Sequence, residues 1–325
     1  MEVGDRAIRV TNATLSHIDP TRTTALRRRY RQAYNSRWRE VRGLVRESIQ
    51  EHHAFGFADP QRYPQLTHNI GPKEDVKHGS PDTLALGFAS WLKQAMREIV
   101  AEERVNNQGE VLSRTEWQRR FIRSGYVKGL RHSLRRLSQQ GIDVSNLDPD
   151  RLLRKPFFRK SLTRLIHRQY DLLHTAQLDT GNRIQQAIRK ELIEGYAHQR
   201  TPAQMRRRLT TAINGAIRNG KNVGQLRTAT IARTEIIRAH AESTLDLYEQ
   251  TGQTKVQLKA EFTTAGDIRV CPICISWAGT TLPIKQARGI IPIHPNCRCT
   301  WLPVHTKEDL ATNILIPVTG QLHTA

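Results

Sequence analysis

A chain of 325 residues and 37.2 kDa is too long for one small module, and its length points to about two domains. Fifty-one Lys+Arg against 30 Asp+Glu give a formal charge of +21 and a pI near 10.5, with 38% hydrophobic residues and a mean hydropathy of −0.58. No stretch approaches the ~20 uncharged residues of a membrane-spanning helix, four cysteines are too few for a disulfide-stapled secreted scaffold, and Met1 to Asp19 lacks a basic-then-apolar leader, so the expectation is an intracellular protein with no membrane partner.

The first two thirds read as helix. Asp19-Pro20 opens a segment in which Leu26, Tyr30, Ala33, Trp38, Val41, Val45 and Ile49 recur at helical spacing. A Gly/Pro/His-rich passage over 56–79, with Pro60, Pro64, Gly71 and Pro72, reads as a long loop. Ser80-Pro81-Asp82 restarts a helix with an N-cap, a first-turn proline and an acid facing the dipole. Leu84, Phe88, Trp91, Leu92, Ala95, Ile99 and Val100 then form its apolar face. The next helix spans about Thr115 to Gln140 and closes at Gly141.

Phe158, Leu162, Leu165, Ile166, Leu172 and Leu173 mark one further helix, and Ile184, Ile188, Leu192 and Ile193 a separate one ending near Gly195. Thr201-Pro202-Ala203-Gln204 matches a capping box. The helix behind it is expected to break at Asn214-Gly215 and Asn219-Gly220. A long helix from about Gln225 to Gln250 ends at Gly252. The period then changes: Val256, Leu258, Ala260 and Phe262 alternate with Gln257, Lys259 and Glu261, as in a half-buried strand. The fold class expected is mainly α with a small α+β C-terminal zinc-stabilised module. Its parts are an N-terminal helical region or arm over 1–150, a basic helical domain over 151–253, a zinc-binding β-containing module over 254–305 and a tail over 306–325.

Charge is unevenly spread. Residues 151–240 hold 19 basic and 5 acidic side chains, hence +14, whereas 1–150 carry +7 and 241–325 are neutral. Such a basic stripe is the footprint of a polyanion, most often nucleic acid. Arg154, Arg159, Arg164, Arg168, Arg206, Arg207 and Arg208 are the candidates to neutralise nucleic-acid phosphates, without sequence preference and with steep salt dependence. No helix-turn-helix or finger pattern accompanies them. Aromatics, 6% of the chain, lie mostly on apolar helix faces and do not suggest base stacking.

All four cysteines fall in the neutral C-terminal segment. Cys271-Pro272-Ile273-Cys274 is followed, nineteen residues on, by His294-Pro295-Asn296-Cys297-Arg298-Cys299. Two chelating pairs separated by a loop point to zinc. Spacing leaves open which of His294, Cys297 and Cys299 complete the set with Cys271 and Cys274. Four protein ligands leave no place for water, so the zinc is expected to be structural. A module of ~50 residues with few large apolar side chains needs such a staple. Asp267 is read as capping the turn before Val270. A zinc-dependent nuclease, with His294 as base, is the alternative, but a ligand cannot also be the base and no carboxylate pair flanks the cluster. His52, His53, His68 and His78 are read as solvated.

Several of these stretches occur in a particular order: Ile231-Ala232-Arg233-Thr234-Glu235, a long helix, a strand to Phe262, Thr263-Thr264-Ala265-Gly266-Asp267, Arg269-Val270-Cys271-Pro272-Ile273-Cys274, Gly279, and Pro292-Ile293-His294-Pro295-Asn296-Cys297-Arg298-Cys299. This resembles the tailed-phage minor head proteins, the Mu F-like or head morphogenesis family. The strong part covers roughly residues 225–303, and weaker similarity reaches back to about 155 through Gly195 and Thr201-Pro202. The family usually has two prolines before the histidine; Ile291-Pro292-Ile293 departs from that in a way that bears on loop packing more than ligation.

The resemblance implies a non-enzymatic virion component, present in few copies at the portal vertex, needed for head assembly and touching DNA inside the head. Its partners would be the phage portal protein and, further, the major capsid or scaffold protein, with host cytoplasm as its location during assembly. Some relatives carry toxin enzymes beyond the zinc module; the roughly twenty residues after Pro303 are too few for one. Arg233 and Glu235, two apart on a helix, point in different directions. They are read as structural, clamping the helix to the zinc module.

Overall fold

A computed structural model of the chain describes residues 19–50, 54–55, 80–101, 103–105, 111–114, 117–218, 224–254 and 258–305. The expected loop over 56–79, the four histidines at 52, 53, 68 and 78, Thr115, Asn219-Gly220, Val256-Gln257 and the tail over 306–325 lie outside these residues. The chain is mainly helical with one small three-stranded sheet near its C-terminal end, the fold class read from the sequence. Among the described residues, no helix is long and apolar enough to cross a membrane.

The helices are α1 (Thr24–Gln50), α2 (Pro81–Met96), α3 (Arg119–Gln139), α4 (Pro149–Arg154), α5 (Pro156–Ala197), α6 (Pro202–Arg218), α7 (Gly224–Thr254), α8 (Pro272–Trp277) and α9 (Ile284–Ala287). Strands β1 (Glu103–Val105) and β2 (Val111–Arg114) form an antiparallel pair. Strands β3 (Lys259–Thr263), β4 (Thr281–Pro283) and β5 (Thr300–Val304) form an antiparallel sheet in the order β4-β3-β5. Contacts divide the chain into two compact units, each built from separated stretches. The first takes in 1–27, 121–166 and 234–325; the second 28–120 and 167–233.

In the second unit, α1 buries Tyr30, Tyr34, Trp38, Val41 and Val45 completely. Tyr30 and Tyr34 meet Trp117 edge-on, and Trp38 Nε1 donates to Thr228 Oγ1 at 2.9 Å. Ser80 caps α2 by accepting from Thr83 N. A π-helical turn over Arg97–Ala101 then leads into β1. The β1–β2 pair corrects the all-helical reading of this region; strands of three and four residues are too short to announce a period of two. The capping box at α6 is made as expected, with Gln204 Oε1 accepting from Thr201 N and Thr201 Oγ1 from Gln204 N.

Three helix ends differ from the sequence reading. The segments read as two helices across 158–193 form one, α5, because Ala176 and Thr180 are buried and Thr180 Oγ1 returns its hydrogen bond to Ala176 O. Asn214-Gly215 does not break α6, whose buried Ile213 and Ile217 lie one turn apart on its core face. Helix α7 runs through Gly252 to Thr254.

The first unit holds the candidate site. Its core joins Tyr126, Leu130 and Leu137 of α3, Phe158, Leu162 and Leu165 of α5, Ile237, Leu245 and Tyr248 of α7, and Phe262 and Trp301 of the sheet. Cys274, Cys297 and Cys299 belong to the same cluster. Strand β5 lies at the sheet edge, and its free carbonyls are sealed by side chains. Tyr248 Oη donates to Trp301 O at 3.3 Å and Gln140 Nε2 to Pro303 O at 2.6 Å. His132 and His240 pack ring to ring with centroids 5.2 Å apart, and burial pushes both pKa values down, His240 to about 3, so they serve as neutral core rings.

Helices α3 and α7 touch backbone to backbone at Gly129. A β-carbon there would lie 1.9 Å from Ser243 Oγ and 2.3 Å from His240 O. Because the obstacle includes main chain, it cannot rotate away. Gly129→Ala is expected to lower stability by about 2–3 kcal/mol in urea denaturation, whereas Gly43→Ala, with open space around it, should cost nothing or stabilise slightly.

Candidate metal centre

The ligand cluster begins where β3 ends. Asp267 turns the chain by accepting from Arg269 N through Oδ1 (3.0 Å) and from Val270 N through its carbonyl (3.0 Å). Cys271 is then the N-cap of α8, its thiol accepting from Cys274 N at 3.4 Å. A capping sulfur at position 271 and a first-turn sulfur at 274 face the same side, which is why this helix can present two thiols to one point.

The second knuckle lies between α9 and β5. Cys297 N bonds His294 O at 3.2 Å, and Asn296 takes a positive φ of 65°, a conformation asparagine tolerates. Along 297–299 the cysteines are buried while Arg298 turns away from them. Its guanidinium grips Asp267 with two bonds, Nη1 to Oδ2 at 2.7 Å and Nη2 to Oδ1 at 2.5 Å. With Arg269 as a further donor, this holds the Asp267 carboxyl well below the usual carboxylate range. Asp267 therefore caps its turn and also ties the first knuckle to the second, an ion pair absent from the sequence reading.

All five candidate ligands gather around Cys274. Cys271, Cys274 and His294 form one set, and Cys274, Cys297 and Cys299 another; within each, the ligand atoms lie within 4.8 Å of one another. His294 Nε2 is 3.1 Å from both Cys271 Sγ and Cys274 Sγ, and Cys274 Sγ is 4.0 Å from Cys297 Sγ. Sulfurs about 2.3 Å from a tetrahedral zinc would stand about 3.8 Å apart, close to that last separation. His294 Nδ1 sits 2.8 Å from Pro295 O, a contact that fixes Nδ1 as the donor and leaves the Nε2 lone pair facing the thiols. The donor set fits a cation that takes tetrahedral, sulfur-rich coordination, such as zinc. The thiols also polarise one another: hydrogen bonding from Cys299 pulls Cys297 down, bonding to Cys297 pushes Cys299 up, and burial, then the neighbouring Cys297, pushes Cys274 up.

Helix α7 carries the module on a row of carboxylates that sequence reasoning missed. Arg288 reaches Glu242 at 3.2 Å, Asp246 at 2.8 Å and Glu249, and Gly289 N donates to Glu242 Oε1 at 2.9 Å. Tyr126 of α3 donates to Asp246 as well. The signal was the i, i+4, i+7 spacing of three acids on one helix face. Glu235 is buried and accepts from Arg238 Nε at 3.3 Å, while Arg233 Nε lies 3.4 Å from Ala229 O. Thr234, between them, reaches the second knuckle: its hydroxyl accepts from Asn296 N at 3.4 Å.

The candidate phosphate-binding arginines belong to different units. Arg154, Arg159 and Arg164 lie in the first, exposed. Arg168, Arg206, Arg207 and Arg208 lie in the second; Arg168, Arg207 and Arg208 are exposed and Arg206 is half-buried. Arg208 is committed to Glu191 at 2.7 Å and Glu194 at 3.5 Å.

Residues 182–302, from the second half of α5 into β5, match the family model described as Phage Mu protein F like protein. The resemblance drawn from the motifs is thus shown over the stretch that holds the candidate metal centre, and with it a likeness to phage head proteins. No curated protein and no solved structure matches the chain.

Removing Arg288 would leave Asp246, 2% exposed, without its main counter-charge. Arg288→Ala is expected to cost roughly 3 kcal/mol in urea denaturation. Arg288→Ala combined with Asp246→Asn should recover part of that loss, and full additivity of the two changes would show that the pair is not coupled.

Proposed function

We propose that this Mu F-like chain is a minor head protein for head morphogenesis, a structural virion component seated at the portal vertex. In this reading a structural zinc holds the module over 254–305, and the basic helical region over 151–253 faces packaged double-stranded DNA. The portal protein is its main partner, with the major capsid or scaffold protein as further contacts during assembly in the host cytoplasm. The observation that carries the reading is the convergence of two separated knuckles on Cys274 inside the stretch that matches the phage family.

The ligands we assign are Cys271, Cys274, His294 and Cys297. His294 and Cys297 keep the short spacing of the second knuckle, and both lie beside Cys274. Cys299 then supports the site by hydrogen bonding to Cys297. When bound, zinc would draw these thiols into one rigid cross-link and, with four protein ligands, offer no position for substrate water. The geometry gives no support to the nuclease alternative: His294 faces two thiols through one ring nitrogen and a backbone carbonyl through the other, so it has no nitrogen left for proton abstraction. Glu235, through Arg238, and Asp267, through Arg298, act as structural ties around the module, with Arg233 on the same helix turn.

Contact with DNA is supported by exposed arginines of the first unit. Arg154, Arg159 and Arg164 are exposed on α4 and the start of α5, with no ion-pair partner among the described residues. Guanidinium groups without internal partners are available for phosphate oxygens.

Two measurements test these assignments. The purified full-length chain should carry one equivalent of zinc; Cys274→Ser should lose it and lower stability by about 3 kcal/mol or more. A metal-free wild-type protein of unchanged stability would remove the structural site. Duplex DNA binding should weaken steeply with salt, and Arg159→Gln with Arg164→Gln should reduce the log–log slope by about two. A wild-type slope near zero would remove the DNA contact.

A further inference from the structure

The second unit contains a cleft that the candidate metal centre and the exposed arginines of the first unit leave unexplained. The chain reverses between α5 and α6 over His198–Thr201, with Gln199 at φ 47° and Arg200 N bonded to Gly195 O at 3.0 Å. Gly195 lets α6 fold tightly back: a β-carbon there would lie 1.9 Å from Met205 Sδ. The reversal leaves a cleft of about 790 Å³ whose lining includes His198, Arg200, Gln204, Arg207, Arg208 and Thr211, with Glu191 as the sole acid among its lining residues.

The charges in this cleft do not cancel. Glu191 is neutralised at close range by Arg208 Nε at 2.7 Å. Arg200 stands further off, Nη1 3.7 Å from Glu191 and Nη2 3.9 Å from Glu194, separations at which charges attract but no hydrogen bond forms. Arg200 Nη1 is buried without a hydrogen-bond partner, and a buried donor left unmade is costly unless an acceptor arrives. Arg207 is exposed and its guanidinium has no partner among the described residues. His198 commits Nδ1 to Glu194 O at 2.7 Å, leaving Nε2 as its uncommitted nitrogen. The cleft therefore offers two incompletely satisfied guanidinium forks and one imidazole nitrogen beside an acid that is already paired.

We propose that this cleft binds a phosphate group, with Arg200 and Arg207 as the donors and Arg208 retained by Glu191 as part of the wall. Planar forks suit the oxygens of a phosphate better than point charges do. The inference rests on the DNA-contact reading for its natural ligand, a backbone phosphate; a free phosphate has the same chemistry. It also divides the arginine run at 206–208 by role, since neighbours in sequence have different free valences.

The test uses the full-length chain, wild type and with Arg207→Gln, Arg200→Lys, both together, and Arg159→Gln, in the first unit, as a comparison. Duplex DNA binding is followed by fluorescence anisotropy across a salt series, and inorganic pyrophosphate by its effect on melting temperature. Arg207→Gln should weaken duplex binding about three- to tenfold and lower the salt slope by about one. Arg200→Lys keeps the charge beside Glu191 but loses the fork, so it should weaken binding at a nearly unchanged slope. Pyrophosphate should raise the wild-type melting temperature and have no effect on the double variant. Duplex binding that depends on Arg159 but not on Arg200 or Arg207, without pyrophosphate protection, would overturn the cleft while leaving DNA contact standing. Pyrophosphate protection lost in the double variant, in a chain that fails to bind duplex, would support the cleft and overturn DNA as its ligand. Neither duplex binding nor protection would overturn both.

Discussion

Cys274 is the point at which the two knuckles of the C-terminal part of this protein meet. It is the thiol shared by the two ligand sets, it is buried in the same apolar cluster as Phe262 and Trp301, and it sits in a helix of only six residues. A helix that short has no stability of its own, and the three strands around it have five, three and five residues. Elements this short do little by themselves to fix two distant loops against each other. The two knuckles meet at Cys274, and the Arg298–Asp267 pair ties them together a few residues away with charge.

A stapled module still needs a foundation, and α7 provides it in three ways. Its apolar residues Ile237, Leu245 and Tyr248 join the module's core, its carboxylates receive Arg288, and Thr234 meets the second knuckle at Asn296. Gly129 brings α3 onto the opposite side closely enough for Tyr126 to share Asp246 with Arg288. The candidate metal centre and the helix packing are therefore parts of one structure: Tyr126 of α3 and Arg288 share Asp246 of α7, and the buried cysteines share one core with Ile237, Leu245 and Tyr248.

What was legible in the sequence had a local cause. Ser80 before Pro81, the Thr201–Gln204 box and the alternation at Ala260 and Phe262 each act within a few residues, and each is present in the structure. The five residues singled out by the spacing of the cysteines and His294 do lie together, because each short interval spans a single turn. The misjudged points depended on long-range packing. Asn214-Gly215 favours a break, but buried isoleucines on both sides keep α6 whole. The two apolar segments across 158–193 join into one helix because Thr180 between them is buried, returning one hydrogen bond to Ala176 and accepting another from Gly224 N. Arg288 showed nothing in its own neighbourhood, since its three acids lie about forty residues earlier.

Net charge can suggest a polyanion partner but not the residues that would meet it. Counting assigns Arg206, Arg207 and Arg208 one shared role, whereas the structure gives them different ones: Arg208 is occupied by Glu191 and Glu194, Arg206 is half-buried and Arg207 is exposed. The same holds across the basic segment, where Arg189 is paired with Asp82 and Arg227 with Asp179 while Arg159 and Arg164 have no ion-pair partner among the described residues. An arginine already bonded to a carboxylate must break that contact before it can neutralise a phosphate, so it contributes less to binding than its charge suggests. The number of arginines available to DNA is therefore smaller than the +21 of the chain implies, and it is set by where the few acids of the helical region fall.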